Sequence, residues 1–240
     1  MQSKITISAR DLGKIRLSDF CPRCFWFTYN FPILDPHPFR SPLPGIISIL
    51  DAYIKQVVNL TFSTKKQLPK WLTQILNELK VIEILQPRKW QVKIENFILT
   101  GVPDAIWKIE DDSIFIADYK VAQLTQAQDA LFPLYETQLK AYAYLAQRNG
   151  YKVSRLALIY IQPQRYREEP QRLLNITADQ FALYFNCDVK FIESWEPKEI
   201  EDMVCELGTI LAQTSPPASK ENCKGCESLR EWFDNMKNLI

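Results

Sequence analysis

Residues 101–120 read GVPDAIWKIEDDSIFIADYK, and this stretch holds two short apolar runs separated by a polar turn. The runs at 105–109 and 113–119 are rich in β-branched and aromatic residues, and the residues at 110–112 between them are Glu-Asp-Asp. Short apolar runs around such a polar break are typical of two antiparallel strands joined as a hairpin. The stretch therefore predicts a strand pair at the centre of the fold.

Three charged side chains stand at the ends of these two runs. Asp104 precedes the first run, and Asp118 and Lys120 lie at the end of the second. An antiparallel hairpin brings these ends together, and residues two apart on a strand share one face, so Asp118 and Lys120 point to the side opposite Tyr119. We therefore expect two carboxylates and one ammonium group to converge at one edge of a sheet.

Such a group of charges predicts a metal site. Carboxylates gathered in a partly buried place carry a large desolvation cost unless they are paired or bind a metal. Oxygen ligands from Asp104 and Asp118 suit Mg²⁺ or Mn²⁺. Water bound to such a cation loses a proton more readily than bulk water does, and Lys120 is placed to orient it or to stabilise charge at phosphorus. That is the chemistry of phosphodiester hydrolysis.

A second motif follows on the next predicted helix, where Gln138 and Tyr142 lie one turn apart and share one face. The ordered set Asp104, Asp118-x-Lys120 and Gln138-xxx-Tyr142 resembles the signature of the PD-(D/E)XK nucleases, and its last part is similar to the RecB-type branch. The resemblance implies a restriction-endonuclease-like core with the first three residues in catalysis. It implies that Gln138 and Tyr142 hold the Lys120 region or a substrate phosphate by hydrogen bonds.

A helix predicted over 45–60 offers one further acidic side chain, Asp51. In the RecB-type branch a helix near this point often supplies another acidic or histidine metal ligand, and this helix contains no histidine. Asp51 is thus the candidate for a third ligand beside Asp104 and Asp118. A solvated aspartate on the polar face of the helix fits the pattern equally well. His37, the lone histidine, lies between two prolines and is predicted to be a loop residue.

The cysteines predict a second metal centre. Four of the six cysteines form two Cys-x-x-Cys pairs, at Cys21, Cys24, Cys223 and Cys226. Each pair can present two thiolates to one metal, so two pairs complete a tetrahedral zinc site or hold a 4Fe–4S cluster. We expect this site to join segments 18–30 and 215–240 as a clasp. Cys187 and Cys205 are predicted to be small buried side chains.

The resemblance leaves the metal of this centre open. Some nucleases of the RecB and CRISPR-adaptation types carry an iron–sulfur cluster that joins both ends of the domain. Those clusters generally take one cysteine before the nuclease core and three after it, whereas this chain offers two and two. Zinc therefore stands as an alternative to the 4Fe–4S cluster, and Cys205 as a substitute ligand.

The whole chain predicts one α/β domain over 1–240, with a central mixed β-sheet flanked by helices. The predicted strands are 89–99, 105–109, 113–119 and 153–161, with a further strand near 182–192. The predicted helices are 45–60, 71–85, 133–148, 198–212 and 229–239. The helix over 133–148 is expected to cross over between the strands on either side of it.

Composition and charge limit the functions that remain. The chain is 47% hydrophobic and 24% charged, which is ordinary for a folded protein, and no apolar run is long enough to cross a membrane. We expect a cytoplasmic location, DNA as the partner and no membrane partner. Because the formal net charge is only +1, nucleic acid would be held by a local surface. The arginine-rich loop at 163–172 is a candidate, although a solvated connection explains it as well.

Three functions are consistent with these patterns. The leading one is a Mg²⁺- or Mn²⁺-dependent DNA nuclease acting in repair, recombination or defence, as the resemblance implies. The second is a module that binds nucleic acid without cleaving it. The third is an interaction scaffold stapled by the cysteine metal site.

Overall fold

The computed structural model describes residues 5–31, 45–76, 79–122, 126–164, 184–193 and 195–237. The helices are α1 (Ala9–Gly13), α2 (Pro22–Asn30), α3 (Gly45–Lys65), α4 (Lys70–Ile75), α5 (Gln126–Arg148), α6 (Pro197–Leu211) and α7 (Lys224–Lys237). The strands are β1 (Thr6–Ser8), β2 (Val81–Leu85), β3 (Trp90–Ile94), β4 (Phe97–Gly101), β5 (Ala105–Ile109), β6 (Ile114–Val121), β7 (Val153–Pro163) and β8 (Phe185–Ile192).

The larger sheet has five strands in the order β2-β5-β6-β7-β8. β5 and β6 form the predicted hairpin, and the register that pairs Ala105 with Ala117 places Asp104 across from Asp118. β6 and β7 run parallel, and α5 makes the crossover between them. The prediction of a mixed sheet flanked by helices is therefore confirmed.

Two apolar cores cover the two faces of this sheet. On β6, Ile116 belongs to the core that contains α5, whereas Phe115 belongs to the core that contains α3 and α4. Trp107 stacks on Phe115 with ring centroids 5.3 Å apart, which fixes the hairpin on the α3 side. Because side chains alternate along a strand, Asp118 points towards α5 and Tyr119 towards α3. The end of β6 thus presents groups to both helical layers.

The region predicted as one strand over 89–99 is instead a hairpin. β3 and β4 pair antiparallel around a turn in which Glu95 has a φ of +50°. β4 continues through Gly101, and β1 pairs with β4 in parallel. These strands form a separate sheet of three, so placing 89–99 in the central sheet was wrong. The polar pair Glu95-Asn96 forms the turn, although the alternation of apolar residues on both sides of it predicted one continuous strand.

The helix predicted over 71–85 is wrong in its second half. α4 ends at Ile75, and Val81–Leu85 form β2, which pairs antiparallel with β5 at the edge of the larger sheet. The apolar residues of this stretch fit a helical period. Their β-branched members favour a strand once a pairing edge is available.

Two other helices differ from their predicted limits. α5 begins at Gln126 rather than at Pro133 and ends at Arg148 as predicted. α7 begins at Lys224 and so includes Cys226. The predictions for His37 and for the arginine-rich loop beyond residue 164 lie outside the described residues. Among the described helices, none combines the length and apolarity that a membrane crossing requires.

Candidate active site and cysteine metal centre

Asp118 is the buried centre of the predicted site. Its side chain lies on β6 facing α5, and the residue is only 2% exposed. Burial is the main cause that raises the pKa of its carboxyl group to about 6, repulsion from the neighbouring Asp104 adds to the rise, and the ammonium of Lys120 opposes it. The two aspartates predicted to converge are therefore close enough to repel each other. A divalent cation relieves that repulsion.

The ammonium of Lys120 is held between two groups. It forms an ion pair with Asp118 Oδ2, and its Nζ lies 4.2 Å from the centre of the Tyr135 ring on α5. This ion pair sets the ammonium directly against the buried carboxylate of Asp118. Tyr135 was missed in the sequence, where its only signal is a position one turn before Gln138.

Gln138 and Tyr142 lie beside Asp118 on the α5 side. Gln138 Nε2 donates a hydrogen bond of 2.8 Å to Tyr142 OH and lies 3.4 Å from Asp118 Oδ1. Both side chains are buried, and Gln138 Oε1 has no hydrogen-bond partner among the described residues. The structure therefore brings this predicted pair to the carboxylate, with one buried acceptor still unused.

Tyr142 is positioned by close packing against Gly101 on β4. A Cβ atom added to Gly101 would stand 2.6 Å from Tyr142 Cε1, well inside van der Waals contact. We expect Gly101→Ala to lower the free energy of unfolding by about 1–3 kcal/mol, because the added methyl group must push the ring away from Gln138. Urea denaturation measures the change.

The matched control for that substitution is Gly45→Ala, since an added Cβ at Gly45 meets no described atom within 4 Å. We expect its unfolding midpoint to stay the same or rise slightly. An unchanged midpoint for Gly101→Ala would show that the Tyr142 ring is free to move.

The two oxygens of Asp104 have different partners. Lys55 Nζ donates to Asp104 Oδ1 over 2.7 Å, and the backbone N–H of Tyr119 donates to Oδ2 over 3.2 Å. Lys55 Nζ also donates to Asp51 Oδ2 over 2.7 Å, so this ammonium links α3 to the end of the sheet. Burial acts to lower the pKa of Lys55, but its hydrogen bonds to the two carboxylates outweigh it and the pKa is raised.

Asp51 reaches the site through Lys55. Among the described residues, the four paired cysteines are the only His, Cys, Asp or Glu group of three or more whose ligand atoms all lie within 4.8 Å of one another. The oxygens of Asp51, Asp104 and Asp118 therefore do not meet at one point, and Asp51 lies beyond the Lys55 ammonium. The sequence analysis missed Lys55, whose only signal is its spacing of one helical turn from Asp51.

The four paired cysteines converge as predicted. The Sγ atoms of Cys21 and Cys226 are 3.7 Å apart, and Cys24 Sγ lies 3.5 Å from the Sγ atoms of Cys223 and Cys226. Each pair spans the start of a helix, α2 or α7, so the two helix starts face each other. The centre joins the N-terminal and C-terminal regions, and the chemistry of four thiols suits a metal ion.

The surroundings of Cys21 favour a thiolate. Burial opposes its ionisation, but hydrogen bonds from the backbone N–H groups of Cys24 and Lys220 outweigh burial and help to lower the pKa of Cys21 to about 7. Thiolates are the form that binds metals. Cys187 and Cys205 are half-buried and are not members of this group.

The fold and the site define an α/β protein with paired carboxylates and a lysine at the end of a central hairpin. A sequence profile of the PD-(D/E)XK nuclease superfamily matches residues 34–230. That match spans most of the 240 residues, so the chain belongs to the PD-(D/E)XK nuclease superfamily.

The chain was also compared with curated proteins and with solved structures. A sequence search of curated proteins matches none of them. Among solved structures, the crystal structure of SSO0001 is similar, with a TM-score of 0.52 and 16% sequence identity over 90% of this chain and 80% of that chain. At this identity the similarity shows a shared fold alone.

Proposed function

We propose that the chain is a nuclease that hydrolyses phosphodiester bonds of DNA with Mg²⁺ or Mn²⁺ held by Asp104 and Asp118. The observation that supports this most directly is the pairing of the two aspartates across the β5–β6 hairpin, where Asp118 is buried and is repelled by the neighbouring Asp104. Membership of a superfamily whose members are typically nucleases supports the reaction class. The Gln138-xxx-Tyr142 pair favours the RecB-type branch.

Each side chain of the site has a distinct part in this proposal. A bound divalent cation would supply a Lewis acid and an acidified water molecule. Lys120 is held by Asp118 and Tyr135, so its ammonium is fixed where it can orient a water molecule or stabilise charge on a phosphate oxygen. Gln138 and Tyr142 position Asp118 from the α5 side.

Lys120→Met tests the chemistry separately from metal binding. We expect cleavage of plasmid and single-stranded DNA to slow by about 10²–10³-fold, because the variant loses the charge that faces the reacting phosphate. Mn²⁺ binding, measured by calorimetry, should persist because both aspartates remain. The control is Lys108→Met on β5, whose ammonium pairs with the exposed Asp112, and it should cleave at the wild-type rate.

The outcome for the wild-type protein decides between the functions. If the metal-loaded protein cleaves neither DNA nor RNA, the nuclease proposal is rejected. Salt-sensitive DNA binding without cleavage would then support a non-cleaving nucleic-acid-binding module. If the protein neither binds nor cleaves nucleic acid, the result would support an interaction scaffold held together by the cysteine centre.

For the cysteine centre we propose a single tetrahedral Zn²⁺ rather than a 4Fe–4S cluster. Three of the Sγ separations are 3.5–3.7 Å, and all four Sγ atoms lie within 4.8 Å of one another. With zinc–sulfur bonds of about 2.3 Å, four thiolates around one zinc ion stand about 3.8 Å apart. Anaerobic purification with metal analysis tests this: a colourless protein with one zinc supports it, and a brown protein with four irons overturns it.

We further propose that residues 1–240 form one domain, closed by the clasp between 18–30 and 215–240. Hydrogen bonds from the first segment to residues in or just before the second support this in addition to the cysteines. Arg23 Nε donates to the Pro217 carbonyl over 2.8 Å, and Trp26 Nε1 donates to the Gln213 carbonyl over 2.9 Å. A single cooperative unfolding transition, followed by both tryptophan fluorescence and circular dichroism, is the expected result.

A further inference from the structure

Lys55 stands where a cation is expected at a nuclease site. Its Nζ is 2.7 Å from Asp104 Oδ1 and 2.7 Å from Asp51 Oδ2. The Lys55 side chain is only 30% exposed, so water screens its charge incompletely. The remaining oxygen of Asp104 accepts the Tyr119 N–H over 3.2 Å. Both oxygens of Asp104 are therefore engaged by groups of the protein.

We propose that Lys55 is a built-in competitor of the divalent cation. Its ammonium pairs with Asp104 Oδ1, and a metal ion that binds this oxygen must displace it. Asp51 then serves to hold Lys55 and is not itself a metal ligand. The inference deepens the proposed function and rests on it, because it takes Asp104 and Asp118 as the metal ligands.

The charges of the site support this exchange. Asp104 pairs with the Lys55 ammonium and Asp118 with the Lys120 ammonium, so each carboxylate has its own cation. A divalent cation that enters between the aspartates takes over this role and repels the nearer ammonium group. Lys55 can keep its ion pair with Asp51 after it leaves Asp104, because Asp51 lies one turn away on the same helix. The competition sets a metal concentration below which the site stays unloaded.

Calorimetric titration of the full chain with Mn²⁺ tests the competition directly. We expect Lys55→Met to bind Mn²⁺ about tenfold more tightly than the wild type, because the competing charge is gone. Lys55→Arg keeps the charge and should stay within about threefold of the wild type. Lys55→Gln is a second uncharged variant that keeps polar contacts with the two aspartates. Thermal unfolding without metal verifies that each variant is folded, and Asp104→Asn should abolish the titrated site.

The outcomes separate this inference from the proposed function. Equal or weaker Mn²⁺ binding by the folded Lys55→Met and Lys55→Gln proteins overturns the competition, even if the wild type cleaves DNA. If the wild type and both variants bind no Mn²⁺ and cleave no nucleic acid, the proposed function fails and the inference fails with it.

The role of Asp51 is tested by adding Asp51→Asn to the Lys55→Met protein. A residue that only holds Lys55 has nothing left to hold in that background, so Mn²⁺ affinity should change by less than about threefold. A loss of more than about tenfold would make Asp51 a metal ligand and overturn its assignment as the group that holds Lys55.

Discussion

Asp118→Asn is expected to reduce DNA cleavage by at least about a thousandfold, because it removes one of the two carboxylates proposed to bind the divalent cation. The same substitution is expected to make the metal-free protein more stable at pH 7. An ionised carboxylate buried to 2% exposure and repelled by Asp104 is costly, and an amide of the same shape is not. Activity and stability should therefore change in opposite directions.

The pH dependence of that stability gain follows from the pKa of Asp118. Folding raises the pKa from its ordinary value of 3.8 to about 6, so the folded protein holds this proton more tightly than the unfolded chain does. Ionisation of Asp118 therefore costs stability as the pH rises from about 4 to about 6, and the full cost remains above that range. Asp118→Asn should gain about 1–3 kcal/mol at pH 7 and almost nothing below about pH 3, because the aspartate is then mostly protonated in both states.

Urea denaturation in the presence of EDTA measures this gain at each pH. Asp112→Asn is the matched control, because Asp112 lies in the β5–β6 turn with its side chain 83% exposed and a φ of +66°, a conformation that asparagine tolerates. The control should cleave DNA normally and show no pH-dependent gain. A destabilised Asp118→Asn protein at pH 7 would mean that the carboxylate is already paired well enough to stabilise the fold.

Cys226→Ser is expected to release the metal ion and lower the melting temperature by at least about 10 °C. Cys226 and Cys21 are 205 residues apart in the chain, so a metal ion held by the four cysteines would cross-link the N-terminal and C-terminal segments. The free energy of metal binding is available only to the folded protein and so adds to its stability. A loss of about 3–4 kcal/mol corresponds to a shift of this size in a chain of this length.

Differential scanning fluorimetry together with metal analysis tests the cysteine centre. Cys205→Ser is the control, because Cys205 lies on α6 outside the four-cysteine group, and its melting temperature should fall by no more than about 2 °C. A Cys226→Ser protein that retained both its metal and its melting temperature would show that the three other cysteines suffice.

The parts of the fold that the sequence predicts are those encoded locally. The β5–β6 hairpin has its turn between its strands, so the convergence of Asp104 and Asp118 could be predicted from spacing alone. Gln138 and Tyr142 share a helix face by the same kind of local rule. The two Cys-x-x-Cys pairs are distant in the chain, but their convergence could be predicted because four thiols suit one metal site.

The parts that escaped prediction depend on contacts between distant segments. Residues 81–85 fit a helix by period and become a strand because β5 offers them an edge. Lys55 gains its role only because α3 packs against the start of β5, and Tyr135 because α5 packs across the end of β6. The sequence of neither helix predicts which residues of the sheet that helix will contact.

The two helical layers reach the candidate site from opposite faces of the sheet. Lys55 comes from α3 on one face, and Gln138 comes from α5 on the other. If either α3 or α5 is not packed on the sheet, the site lacks the side chains which that helix supplies, even when the β5–β6 hairpin has formed. The proposed hydrolysis should therefore require that both helical layers are docked on the sheet.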